Sequence, residues 1–288
     1  MKVKPFLLAG ALAVLGSLPL SSAEIAGQAV TLNTSDGWAL SAIYKAPQEQ
    51  TRTVILLHDL GKDKTAFTKF AASLERAGFG YVALDLRGHG QSINQGQYTD
   101  FSREGLDNEF NKMPRDVDAA VSFLQKKGVE PPDMVLLGAG LGANVAAKSV
   151  TLTPDIGSLA LITPTANTRD VLTIPAMRLY KGNVLIAASA DDKKTFLEAS
   201  VIRNVAYLTA ENAGKEGTLT FLTAYDLMSH EMLDKYLIPS VLQWLEIPAR
   251  PEIKPDVVPE TAEETVPGGV FLVGPSATEE ALVPSVLE

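Results

Sequence analysis

Short runs of consecutive apolar residues alternate along the chain with stretches whose apolar positions recur every three or four residues. The runs are 54–57, 81–84, 134–137, 159–162, 184–187 and 219–222, each the length of a buried strand. Phe67, Phe70, Ala71 and Leu74 follow the first run at helical spacing, and Val117, Ala120, Val121 and Leu124 mark a second helix. A small-residue helix opens near Leu141. Leu197, Val201, Val205 and Leu208 trace another, and 232–245 form a closing helix. Upstream, 30–32 and 39–44 read as two strands joined through Ser35-Asp36-Gly37, a hairpin turn signal. Apolar strands alternating with helices predict a mostly parallel sheet covered on both faces. Ligands of such sheets gather at the carboxyl ends of the strands.

The two ends of the chain break this pattern. Lys2 and Lys4 precede an apolar stretch over 6–20, followed by the small residues Ser21-Ser22-Ala23. This is the layout of a secretory signal, and it is short of the roughly 20 residues of a comfortable membrane span. Residues 1–23 are therefore expected to be removed, leaving an exported protein, periplasmic or extracellular, without a stable span. From Pro248 the chain carries seven prolines and a net charge of −6, a composition that cannot bury enough apolar surface to order itself. The expected layout is a signal peptide at 1–23, a domain at 24–247 and a disordered acidic tail at 248–288. The apolar stretch 268–273 within the tail is a candidate contact for a protein partner.

Composition narrows the chemistry. Of 288 residues none is cysteine, and the net charge is −9. Disulfides, thiolate metal sites and a cysteine nucleophile are excluded, and the acidity argues against a nucleic-acid partner. His58, His89 and His230 are the three histidines. No metal and no cofactor are expected.

Three loops at predicted strand ends stand out: His58-Asp59-Leu60-Gly61, Asp85-Leu86-Arg87-Gly88-His89-Gly90-Gln91-Ser92, and Gly138-Ala139-Gly140-Leu141-Gly142-Ala143. The third matches a dinucleotide fingerprint, G-x-G-x-x-A, but the next strand ends in Ile162-Thr163-Pro164-Thr165 without the carboxylate that would hold a ribose. It matches equally a nucleophile elbow, G-x-S-x-G, with Gly140 in place of serine.

On these three loops the chain resembles the α/β-hydrolase family, in particular its compact dienelactone-hydrolase-like esterases and serine peptidases. H-D-L-G is similar to their H-G-x-G oxyanion loop, and D-L-R-G-H-G-Q-S to their D-x-R-G-x-G-x-S turn. The resemblance covers most of 30–245 and implies an α/β-hydrolase fold with little or no cap domain. It further implies Asp192 as the acid, His230 as the base, Gly140 as the vacant nucleophile position, and the N–H groups of Leu60 and Leu141 as oxyanion donors. Asp191 and Asp192 also suit a helix N-cap. His58 and His89 are read as loop-shaping residues and Arg87 as a structural ion-pair donor.

Glycine offers no side chain to attack a carbonyl. The leading expectation is a catalytically impaired protein that binds a small carbonyl or carboxylate ligand or a partner. A second is an active hydrolase of esters or peptides, with Ser189 or Ser229 attacking or His230 activating water. A third is an interaction module working through its acidic tail.

Overall fold

The computed structural model describes residues 24–48, 52–105, 107–212, 219–225 and 229–247. The expected signal peptide and acidic tail lie outside these residues. In chain order the elements are β1 (Gln28–Asn33), β2 (Ala39–Lys45), β3 (Thr53–Leu57), α1 (Thr68–Arg76), β4 (Gly80–Leu84), α2 (Glu109–Lys112), α3 (Pro114–Lys126), β5 (Met134–Ala139), α4 (Leu141–Ser149), β6 (Ser158–Ile162), β7 (Asn167–Thr168), β8 (Val171–Leu172), α5 (Ile174–Met177), β9 (Asn183–Ser189), α6 (Lys193–Asn212), β10 (Leu219–Ala224), α7 (Ser229–Met232) and α8 (Ile238–Leu245).

Eight strands form one sheet in the order β1-β2-β4-β3-β5-β6-β9-β10. β1, β2 and β4 pair antiparallel, and every pairing from β4 onward to β10 is parallel. The hairpin expected through Ser35-Asp36-Gly37 is present, closed by Thr34 and Trp38, with Gly37 at φ 89°. β3, β4, β5, β6 and β9 are buried along their whole length, as continuous apolar runs require. One sheet face packs Val117 of α3, Val145 of α4 and Ile202 of α6. The other packs Phe70 and Leu74 of α1 with Val241 and Trp244 of α8. The excursion between β6 and β9 holds only the two-residue ladder β7–β8 and the single turn α5.

Two helices differ from the pattern-based reading. α6 forms where expected, but Leu197, Val201 and Leu208 face solvent, at 65%, 43% and 55% exposure. Its buried stripe is Ala199, Ile202 and Ala206. The helix turns its small residues to the sheet so that its axis lies close, and bulk fails as a guide to the inner face. The closing helix starts at Ser229 and widens into a π-turn at Leu233–Leu237 before α8. Pro239, near the start of α8, has no N–H to return to the preceding turn, and a widened turn absorbs that defect.

The loop after β4 is anchored by Arg87, whose side chain is fully buried. Its guanidinium donates to Asp116 Oδ1 from Nε at 2.8 Å and Nη2 at 2.7 Å, to Asp36 Oδ2 at 2.8 Å and to Glu109 Oε2 at 2.9 Å. The Arg87 backbone N–H donates to Asp116 Oδ2 at 2.9 Å, and the guanidinium lies over the Trp38 ring. One residue thus ties the β1–β2 turn, the β4 loop, α2 and α3. Burial acts upward on the Asp36 carboxyl, but hydrogen bonds from Arg87, Thr34 and Arg115 outweigh it and hold it well below the ordinary carboxylate range. Replacing Arg87 with Met strands Asp116 as an uncompensated buried carboxylate, which costs about 3–5 kcal/mol. Urea unfolding is expected to show that loss, and Arg87→Met with Asp116→Leu is expected to recover part of it.

Candidate functional site

The site is built where β3, β4 and β5 end. β5 runs into α4 through a turn centred on Gly140, at φ 54° and ψ −119°. This conformation is strained for any residue with a Cβ. The flanking glycines answer a different need. A Cβ on Gly138 would lie 2.1 Å from the Gly142 carbonyl oxygen, and one on Gly142 would lie 2.0 Å from the Leu57 carbonyl oxygen. The turn therefore sits backbone against backbone on the end of β3.

Asp59, on the loop leaving β3, reaches over this turn. Its Oδ1 accepts from the Leu60 N–H at 2.7 Å and from the Leu141 N–H at 2.8 Å. The two N–H groups singled out in the sequence thus converge on one oxygen, and that oxygen belongs to the chain itself. A Cβ built on Gly140 would lie 2.0 Å from Asp59 Oδ1 and 2.3 Å from Oδ2. The carboxylate fills the space into which a side chain at 140 would project. A pyrophosphate at the same turn would meet this negative charge, so the dinucleotide reading has no room here either. Asp59 escaped the sequence reading, although H-D-L-G departs from H-G-x-G at this very residue.

Asp192 and His230, the acid and base singled out in the sequence, are described by their own partners. Asp192 caps α6: its carboxylate accepts from the Thr195 N–H at 3.2 Å and the Thr195 hydroxyl at 2.5 Å. The Thr195 hydroxyl bond, ahead of burial acting the other way, lowers its carboxyl pKa. Among the described residues no hydrogen bond joins Asp192 to His230. Among the described residues His230 Nδ1 is buried without a hydrogen-bond partner, as are the Ser229 hydroxyl and Asp234 Oδ1 on the same segment. Ser229 has φ 55°. Ser189 is buried, and its hydroxyl accepts from the Asp191 N–H at 3.3 Å.

His58 and His89 are fixed inside the loops. His58 Nε2 accepts the Leu86 N–H at 3.0 Å, which leaves the proton on Nδ1 to donate to the Asp59 carbonyl at 2.8 Å. The His58 ring meets the edge of His89, whose ring stacks on Tyr98 at 4.2 Å. Burial, with the neighbouring His89 second, pulls the His58 pKa down to about 4, and burial also lowers that of His89. Asp85, at the end of β4, accepts the Lys64 N–H at 2.8 Å, the Lys64 ammonium at 2.6 Å and the Gln91 N–H at 2.8 Å. These bonds lock the β3 and β4 loops together. Among the described residues no group of three His, Asp or Glu side chains is placed to hold a metal ion. Nor is any described helix long and apolar enough to cross a membrane.

Residues 48–209 match the family described as serine aminopeptidase, S33. Among solved structures, the esterase Pf2001 of Pyrococcus furiosus superposes with a TM-score of 0.63 at 14% identity, covering 82% of this chain and 98% of the esterase. A dienelactone hydrolase from Anabaena variabilis superposes at 0.59 and 12% identity, covering 77% of this chain and 98% of that one. Est1E of Butyrivibrio proteoclasticus, solved with ferulic acid bound, does so at 0.58 and 13% identity, covering 75% and 96%. No curated protein sequence matches the chain. The fold is that of the α/β-hydrolases, and the chain belongs to their serine aminopeptidase, S33, family.

Two measurements check the local physics. Gly140→Ala adds a strained Cβ against Asp59 and is expected to destabilise by about 1–3 kcal/mol. Asp59→Gly in the same chain is expected to relieve the collision, giving a favourable coupling in a double-mutant cycle read by urea unfolding. His58 supplies a pH signature. Between pH 6.5 and about 4 the unfolded chain binds a proton that the folded chain refuses, so stability is lost as pH falls through that window, by about 3 kcal/mol in full. His58→Gln is expected to flatten this part of the stability profile. An unchanged slope would remove His58 as its source.

Proposed function

We propose that this is an exported α/β-hydrolase-fold protein in which acyl transfer by the serine route is closed, and which holds a small ligand at its strand ends. One observation carries the reading: Asp59 Oδ1 takes both the Leu60 and Leu141 N–H groups while its carboxylate lies where a residue-140 side chain would project. Acyl transfer by this route needs a hydroxyl at the elbow and free donors for the carbonyl oxygen as it gains charge. Loss of the serine alone costs on the order of 10⁶ in kcat in a serine protease, and loss of one oxyanion donor about 10²–10³.

The same carboxylate changes the ligand expected. A ligand carboxylate would compete with Asp59 for two donors and meet its charge. A neutral or cationic ligand suits a site floored by this carboxylate better. The signal-like segment at 1–23 supports export.

The full chain is expected to leave acyl p-nitrophenyl esters and aminoacyl p-nitroanilides unhydrolysed above buffer. Gly140→Ser alone is expected to be equally silent, since its side chain and the Asp59 carboxylate claim the same space. Ester turnover by the unmodified protein that disappears in His230→Ala would overturn the reading in favour of a working base at the elbow.

A further inference from the structure

We propose that the groove between α1 and α8 is a docking site for the chain's own acidic stretch 259–267, with Glu260 set on Arg76 and Glu263 on Lys69. The inference stands apart from the chemistry at the strand ends. The groove has a volume of about 570 Å³ and is lined by Lys69, Ala72, Ser73, Glu75 and Arg76 of α1 and by Ile238 at the start of α8. Its charges are unevenly matched. Glu75 is taken by Lys45 at 2.5 Å. The Lys69 side chain is 74% exposed and stands 3.9 Å from Asp234, at the outer limit of an ion pair. Arg76 turns its guanidinium back onto the Ala72 carbonyl and the Ser73 hydroxyl, and among the described residues it makes no ion pair. Two cations therefore flank a floor of exposed Ala72 and half-buried Ile238.

The remainder of the chain leaves the domain at one end of this groove. Arg52, just ahead of β3, donates to the carbonyls of Leu245 and Ile247, and its own carbonyl accepts the Gly80 N–H at the start of β4. Ile247, the last described residue, thus lies beside the beginnings of β3 and β4, the level at which α1 closes with Arg76. Glu260 follows 13 residues later. That length spans up to about 40 Å when extended, while 238–247 rise by only about 14 Å. A tail entering here meets Arg76 first and Lys69 second.

The spacing fits in the same order. Lys69 and Arg76 are seven residues apart, two turns on one face of α1 and about 10 Å along its axis. The stretch 259–267 begins and ends in proline and carries three acids and no base. In the polyproline II conformation that such stretches favour, every third residue returns to one side at intervals of about 9 Å. Glu260 and Glu263 have that separation, and Ala262 beside Glu263 is small enough to let the backbone settle on the Ala72 floor. Exposed ion pairs are weak between separate molecules. Within one chain the linker holds the acids at a local concentration on the order of millimolar, so a weak contact becomes populated. The groove is thereby occupied by the chain itself, where it would otherwise take an acidic peptide from outside.

The full chain has no cysteine, so Gln125→Cys on α3, across the sheet, and Ala262→Cys carry two nitroxide labels and no others. Pulsed electron–electron double resonance at about 10 mM salt is expected to give one narrow distance, and at about 1 M salt, where charges are screened beyond about 3 Å, a broad one. Lys69→Glu with Arg76→Glu, its fold checked by its melting curve, should broaden the distribution at low salt by about 3-fold, toward the roughly 20 Å spread of a free tail of about 15 residues. Adding Glu260→Lys and Glu263→Lys to that variant should narrow it again. A broad distribution at low salt in the labelled chain without charge changes would overturn the proposal. So would a narrow one that charge reversal leaves unchanged, or a swapped chain that stays broad. Dilution with unlabelled chain addresses the other occupant: a narrow distance lost on dilution would put a second copy's tail in the groove and overturn docking within one chain.

Discussion

Close contact between two stretches of backbone governs this site. Gly142 lets the β5–α4 turn rest on the carbonyl end of β3, and Gly138 lets the start of α4 fold back onto β5, at distances where a single methyl group would collide. Because the contact is backbone to backbone, the first N–H of α4 and the N–H of Leu60 are held at fixed positions relative to each other. No side-chain rotamer intervenes. The donors are therefore in place before any ligand arrives, and an unpaired donor pair in a half-buried site is costly to leave open. Asp59 answers that cost from within the chain.

The loops around this contact are held by polar groups rather than by bulk. Arg87 gathers carboxylates from three directions, and Asp85 clasps both ends of the Lys64 residue. His58 bridges the loops after β3 and β4 as a neutral imidazole with both nitrogens engaged. Such groups are expensive to bury but directional, so they fix loop geometry in a way that apolar packing does not. The motif D-L-R-G-H-G-Q-S is in this sense a scaffold: Asp85, Arg87 and Ser92 spend their polar atoms on neighbouring backbone and side chains, and His89 sets Nδ1 on the Arg87 carbonyl.

Much of the architecture was legible because period and run length report burial directly. The continuous runs at 54–57, 81–84, 134–137, 159–162 and 184–187 all became strands, and the glycine-spaced turn marked its own position. The inner face of α6 was not legible, because it packs through Ala199, Ile202 and Ala206, while bulkier Leu197, Val201 and Leu208 point outward. The site was legible in part. Leu60 and Leu141 were implied by the resemblance of the loops to a family motif, and their N–H groups meet at one oxygen. What the sequence did not disclose is that they meet on Asp59, since residues 59 and 140 are 81 positions apart and only the fold places them in contact. Asp192 has two chemically reasonable uses, and its hydrogen bonds go to the helix cap.

The contact between positions 59 and 140 also constrains the order in which such a chain can change. With any side chain at 140, the carboxylate of Asp59 has no room in its present rotamer. With glycine at 140 and none of Asp59's side chain above it, the turn keeps its shape and merely gains a hollow. A lineage could therefore pass to this arrangement through glycine first and aspartate second, whereas the reverse path crosses a state in which two side chains claim one volume. The return is barred in the same manner: restoring a residue at 140 must wait until position 59 is cleared, so the two sites behave as a ratchet.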